Sequence, residues 1–291
     1  MDVALTVAGA LIVALGLRDM FHTLLHPVGR GRLTRKVLAI VWRLSRATGH
    51  RAGSAAGATG MIVVITLWIA LQVVGWALIY LPRIPKGFSY SQGIDANDYT
   101  PIGEALYFSF VMLTTLGLGD MTPVDPFVRA VSPIEALTGF GLLTTALAWF
   151  SQVYPPMSRR RALALQIDGL AEAGYAAAVP EVDAGSLSRT LDSLALEIAR
   201  VRVDFAQHAE GFYFQEQNQE LSLARQLPYV LVLRDAALRR PELAVRLSTH
   251  QLGTAIDQLG AALRGEFLRA GEDVAEVFAA YAADHRHDPR G

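Results

Sequence analysis

A chain of 291 residues that is 52% hydrophobic, with a formal charge of -1 and a mean hydropathy of +0.30, is too apolar to be soluble throughout and too polar to be membrane throughout. It has no cysteine, which excludes disulfides, thiolate metal sites and cysteine nucleophiles. No phosphate-binding glycine loop, HExxH or G-x-S-x-G occurs either, so neither an enzyme nor a bound cofactor is expected.

The first predicted element is a transmembrane helix within residues 1–27. Val3 to Leu17 is apolar, and Met20, Phe21, Leu24 and Leu25 continue the helical pattern past Arg18 and Asp19, which are expected to snorkel or pair. Asp19, His22 and His26 share one helical face. With no fourth ligand in view they are expected to bond to neighbouring helices or headgroups rather than to a metal.

Residues 28–59 read as a cytoplasmic, basic, interfacial helix and a linker. From His26 to Gly60 there are Arg30, Arg32, Arg35, Lys36, Arg43, Arg46 and Arg51 and no acid, which places the loop in the cytoplasm. Arg32, Arg35, Lys36, Arg43 and Arg46 share a narrow arc, and Leu33, Val37, Leu38, Ile40, Val41, Trp42 and Leu44 fill the rest. This predicts a helix on the membrane surface, Trp42 toward lipid and the arginines on anionic headgroups, with no nucleic-acid partner. Gly49 to Gly60 is expected to be a flexible linker.

Residues 60–156 form the predicted pore domain. Met61 to Leu81 spans about 31 Å as a helix at 1.5 Å per residue, the thickness of a bilayer core, and the expected outer helix covers 60–82. Residues 82–99 hold Pro, Gly, Ser and Asp and read as an extracellular turret. Thr100 caps and Pro101 opens a short helix over 101–114. Thr114, Thr115, Leu116, Gly117, Leu118, Gly119 and Asp120 come next. A cation sheds its water in a membrane only if oxygens replace the shell, and glycines permit a backbone that turns successive carbonyls toward one axis. Asp120 and Asp125 lie just beyond, placed to concentrate cations at an outer mouth. An inner helix is predicted over 127–154, with Thr144, Ala148 and Gln152 on one face and a capping-box-like Ser132, Pro133, Ile134, Glu135 inside it. An acid facing lipid there costs roughly 2.5 to 3.5 kcal/mol, so Glu135 is expected to face protein, either bracing the filter or capping at Ser132.

Thr115 to Asp120, reading T-L-G-L-G-D, resembles the T-V-G-Y-G-D filter of the potassium channel pore family. Ala105 to Ser109 looks like that family's pore helix, and Glu135 to Gly139 like its inner helix with a glycine hinge. The resemblance covers roughly residues 60 to 155. It implies that Thr115, Leu116, Gly117, Leu118 and Gly119 bind the permeant ion, that Gly139 is the hinge, that Thr144 and Ala148 face the cavity, and that four copies form one pore. Leu118 replaces the usual Tyr, removing a phenol that braces the filter, and Val111 stands where some members have a buried acid.

Arg159, Arg160 and Arg161 place the C-terminal part of the chain in the cytoplasm, and three spans then put the N-terminus outside. Residues 157–291 carry 15 Arg and Lys against 19 Asp and Glu, and read as a helical domain of about five helices punctuated at Pro180, Gly211, Pro228, Pro241 and Gly260. Leu187, Leu191, Leu194, Ile198, Val201 and Phe205, and likewise Leu252, Ile256, Leu259 and Leu263, fit either an intersubunit coil or the core of a bundle. His208, His250, His285 and His287 are scattered and suggest no site.

The expectation is an all-α membrane protein with three transmembrane helices, a re-entrant pore helix and a cytoplasmic helical domain. As a homotetramer in the cell membrane it would conduct cations, potassium selectively. A non-selective cation pore and a non-conducting membrane receptor remain as alternatives.

Overall fold

The computed structural model describes residues 2–24, 31–48, 55–268 and 271–290. It is almost wholly helical: α1 (Asp2–Leu24), α2 (Arg32–Ala47), α3 (Ala55–Tyr80), β1 (Phe88–Tyr90), α4 (Pro101–Leu113), β2 (Met121–Pro123), α5 (Pro126–Glu172), α6 (Tyr175–Ala178), α7 (Ala184–Gln207), α8 (Leu223–Ala237), α9 (Leu243–Glu266) and α10 (Val274–Asp284). Among the described residues three helices, α1, α3 and α5, are long and apolar enough to cross a membrane. The chain divides into two compact units, one running up to Val37 and over Met61–Ser151, the other Leu38–Gly60 and Gln152–Gly291. His26 and most of the expected 49–60 linker lie outside the described residues; α3 already begins at Ala55.

In the first unit, α1 lies against α3 through small residues. A Cβ on Gly9 would sit 2.4 Å from the Gly75 carbonyl oxygen, so only glycine lets the two backbones come this close. Gln72 donates to the Val13 carbonyl at 3.2 Å beside that crossing. Asp19 does not snorkel. Its buried carboxylate accepts from Leu33 N at 2.9 Å, Thr34 N at 3.1 Å, the Thr34 hydroxyl at 2.7 Å and Trp68 Nε1 at 3.1 Å. A bare carboxylate in an apolar helix is costly, and four donors, three of them at the start of α2, answer that cost.

The two short strands pair antiparallel across α4, Phe88 opposite Pro123, Ser89 opposite Thr122 and Tyr90 opposite Met121, a two-stranded sheet absent from the sequence expectation. Behind it Trp76, Ile79, Tyr80, Phe88, Phe108, Met121 and Val128 make one apolar cluster.

Two expectations for α5 are corrected. The helix starts at Pro126 and continues to Glu172 rather than ending near 154. Its N-terminal amides at Phe127 and Val128 are capped by the Asp125 carboxylate at 2.9 and 3.1 Å, so Ser132 to Glu135 is mid-helix and caps nothing. It also passes through Gly139 without interruption. A Cβ there would lie 1.8 Å from the Leu113 carbonyl oxygen, so the glycine lets α5 approach the end of α4 closely.

In the second unit, α7 and α9 pack together, and both leucine series are buried within one chain: Leu187, Leu191, Leu194 and Ile198 with Leu252, Ile256, Leu259 and Leu263. The bundle reading holds and the coil reading falls. Pro228 and Gly260 lie inside α8 and α9 rather than between helices; Gly260 leaves room for Val274, whose side chain a Cβ would meet at 2.7 Å. Trp42 is not turned toward lipid. It is 4% exposed, donates from Nε1 to Asp284 at 2.8 Å and lies 5.2 Å, ring to ring, from His285. Arg46 pairs with the same Asp284 at 2.8 Å.

Candidate functional site

The Thr115–Gly119 stretch begins as a helix ending. Leu116 N donates to the Val111 carbonyl and Thr115 N to the Met112 carbonyl, each at 3.0 Å, the paired bonds that close a helix when one residue turns left-handed. That residue is Thr115, with φ 58°. A β-branched residue there is a steric outlier costing on the order of 1–3 kcal/mol, the kind of strain found at functional sites.

Left-handed backbone recurs at Gly117, φ 56°, and Gly119, φ 80°, with Leu116 and Leu118 between them outside that region. An ordinary strand points successive carbonyls to opposite sides. Alternating the two hands turns them toward one side, which makes a row of oxygens. Nothing lies within 4 Å of where a Cβ would stand on Gly117 or Gly119, so conformation, not space, demands glycine at both. Leu116 and Leu118 are 63% and 58% exposed in the single chain.

The elements around this stretch are tied by polar groups set in apolar packing. Glu135 is fully buried, and its carboxylate accepts from the Tyr80 hydroxyl at 2.7 Å and the Ser109 hydroxyl at 2.6 Å, joining α3, α4 and α5. Ser109 also lies 3.0 Å from the Val73 carbonyl. Of the two roles left open for Glu135, capping is not seen, since the residue sits mid-helix. Val111 is buried beside them.

Of the two acids expected at a mouth, Asp120 accepts from the Tyr107 hydroxyl and, at 3.0 Å, from Met121 N. Asp125 has a different role: besides capping α5 it lies 3.7 Å from Arg83, which in turn stacks over the Phe127 ring at 4.0 Å. Its charge is answered locally. Thr144 and Ala148 are exposed on α5, on the side where Leu137, Phe140, Leu143 and Leu147 are also uncovered. Among the described residues no His, Asp and Glu cluster is arranged to hold a metal ion.

Residues 63–154 match the family model described as ion channel. This segment is similar to the ion channel family, in line with the resemblance in its sequence. The channel segment accounts for part of a wider likeness to the uncharacterized membrane protein YdjJ of Bacillus subtilis (strain 168), 28% identical over 172 residues, covering 58% of this chain and 49% of that protein. Two plant proteins are similar over a shorter stretch. Two pore potassium channel c of Oryza sativa subsp. japonica is 31% identical over 87 residues, 30% of this chain and 18% of its own. Two-pore potassium channel 5 of Arabidopsis thaliana is 30% identical over 84 residues, 28% and 20% respectively. The chain thus spans about half the length of these relatives or less. No solved structure matches it.

Sequence reasoning missed Ser91, Tyr107, Tyr80 and Ser109. Ser109, a hydroxyl in an otherwise apolar helix face, was the one available signal. Ser91 lies 28 residues before Gly119, its hydroxyl's partner, and nothing local marks it.

Proposed function

We propose that this chain assembles as a homotetramer and conducts cations, selectively potassium, across the cell membrane through a filter of the Thr115, Leu116, Gly117, Leu118 and Gly119 carbonyls. The observation that carries this reading is the left-handed backbone at Thr115, Gly117 and Gly119, a conformation that can turn successive carbonyls toward one side of the chain. The names of the two plant relatives supply the ion. One chain provides one row, and a ring dense enough to replace a hydration shell needs several rows about an axis. The exposed Leu116, Leu118, Leu137, Phe140 and Leu147 are surface that neighbouring copies would cover, with Thr144 and Ala148 toward a shared cavity. Permeation makes and breaks no covalent bond, so no cofactor is involved.

In this reading the N-terminus lies outside and residues 157–291 in the cytoplasm, because the stretch before α3 is rich in arginine and free of acids. Anionic headgroups are the proposed partner of Arg32, Arg35, Lys36 and Arg43, all exposed on α2 beside Ile40 and Leu44, which are 49% and 61% exposed.

The test is flux from liposomes holding the purified protein, with potassium or sodium as the only permeant cation, alongside the mass of the assembly. Potassium flux well above sodium, from a tetramer, is expected. Gly117→Ala, which puts a Cβ on a left-handed residue, should abolish or degrade selective flux. An assembled Gly117→Ala protein with unchanged selectivity would remove the filter assignment. Leu118 in place of Tyr favours non-selective conduction as the second reading, and equal sodium and potassium fluxes would establish it. Absence of any flux would support the receptor.

A further inference from the structure

The Gly119 end of the stretch poses a mechanical problem. Gly119 has φ 80° and no neighbour within 4 Å of its would-be Cβ, so nothing in its own packing fixes the peptide after it. Leu118 is 58% exposed and cannot supply the missing phenol. Yet a carbonyl that serves as an ion ligand, or is kept from serving, must have a defined direction.

The β1–β2 sheet meets that need. Its register, extended by one residue beyond Tyr90 opposite Met121, brings Ser91 opposite Asp120. There Ser91 N donates to the Asp120 carbonyl at 2.9 Å, and the Ser91 hydroxyl donates to the Gly119 carbonyl at 3.2 Å. Two successive carbonyls are therefore held by one residue.

Strand β1 is itself fixed to α4. The Phe88 ring stands edge-on to Phe108 at 4.8 Å, and the Tyr90 hydroxyl donates to the carboxylate of Glu104 in the first turn of α4. Beyond the Phe88–Pro123 pair the Gly87 carbonyl accepts from Val124 N at 2.9 Å and Asp125 N at 3.0 Å. On the opposite side, Tyr107 of α4 holds the Asp120 carboxylate. The Gly119–Asp120 peptide thus sits between two supports that both return to the same helix.

We propose that Ser91 is a positioning residue for the conduction site: its hydroxyl sets the direction of the Gly119 carbonyl and with it the geometry of the last ion position. This rests on the channel reading above. Ser91 is exposed, and its backbone bond to Asp120 survives side-chain loss, so Ser91→Ala should fold and assemble as the parent does.

The experiment is the same liposome flux, read as the ratio of potassium to sodium rates, with melting temperature and assembled mass measured on each variant. Ser91→Ala should lower the ratio about two- to tenfold, the worth of one net hydrogen bond, at unchanged melting and mass. Ser91→Thr keeps a hydroxyl and should keep the parent ratio. Tyr90→Phe unhooks β1 from Glu104 and should lower the ratio in the same direction. A merely structural serine would shift melting or total rate and leave the ratio alone. If the parent discriminates between the ions and Ser91→Ala discriminates equally well, Ser91 positions nothing. If the parent passes neither ion, the channel reading fails, and this inference with it.

Discussion

Glu135 shows how a single residue's chemistry is decided by what reaches it. An acid fully enclosed in apolar helices needs hydrogen-bond partners, and here they are two hydroxyls from two other helices, Tyr80 and Ser109. Glu135→Leu would leave both hydroxyls without that acceptor, at about 1–3 kcal/mol for each buried group left unsatisfied. Glu135→Gln keeps an acceptor for one hydroxyl and offers a donor to the other, so it should lose much less. The expected order of melting temperature and of potassium-over-sodium flux ratio is therefore parent, Gln, Leu. A Leu variant indistinguishable from the parent in both would show that the carboxylate braces nothing. Gly139, three residues beyond Ala136 on the same helix, illustrates the opposite case. There the absence of a side chain is what matters, because the Leu113 carbonyl occupies the space.

At the scale of elements, α2 is amphipathic in the way its sequence indicates, but the side carrying Trp42 packs against protein. Leu38 and Trp42 are both 4% exposed, and the Trp42 indole is fixed by Asp284. What remains exposed is the combination of Arg32, Arg35, Lys36 and Arg43 with Ile40 and Leu44, still a surface suited to lipid headgroups. Each basic residue near an anionic surface contributes roughly 1 kcal/mol. Replacing Arg32, Arg35 and Arg43 together by Gln should therefore weaken the dependence of flux on the fraction of anionic lipid. Flux in liposomes of graded anionic content checks this. An identical dependence in parent and triple variant would exclude headgroups as the partner of this face.

At the scale of the whole molecule, stability should depend on pH through His285 in the helical unit. The ring is enclosed by Trp42, Phe212 and Tyr281, with Nε2 2.9 Å from the Phe212 carbonyl and Nδ1 3.2 Å from the Tyr281 carbonyl. Burial pushes its pKa down from 6.5 to about 4; the Phe212 carbonyl and Asp284 act against the shift and Arg160 adds to it. The native state therefore keeps a neutral imidazole where the unfolded chain takes a proton. This contribution to stability is complete above about pH 6.5 and is lost as pH falls from there toward 4. Melting temperature should decline across that window, and His285→Gln should flatten this part of the decline. A parent and a variant with parallel profiles would mean that another group sets the slope.

How much of the molecule is legible in its sequence depends on the range of the forces involved. Composition and apolar run length determined a membrane part with three candidate spans, since crossing a bilayer is a matter of hydrophobicity over about 20 residues. Gly117 and Gly119 indicated where the backbone could turn left-handed, because that freedom belongs to glycine itself, whereas the same turn at Thr115 did not follow from its residue type. Thr100 and Pro101 marked the start of α4 for the same local reason, and the Thr100 hydroxyl does accept from Gly103 N at 3.2 Å. The rest was decided by tertiary structure. Ser91 and Gly119, Glu135 and Tyr80, Asp19 and Trp68, and Trp42 and Asp284 are separated by 28, 55, 49 and 242 residues, and a three-residue strand has no periodicity to announce it. The direction a helix face turns depends on which competing surface covers it. For Trp42 that surface is the aromatic cluster of Phe212, Tyr213 and His285, assembled from segments far apart in the chain.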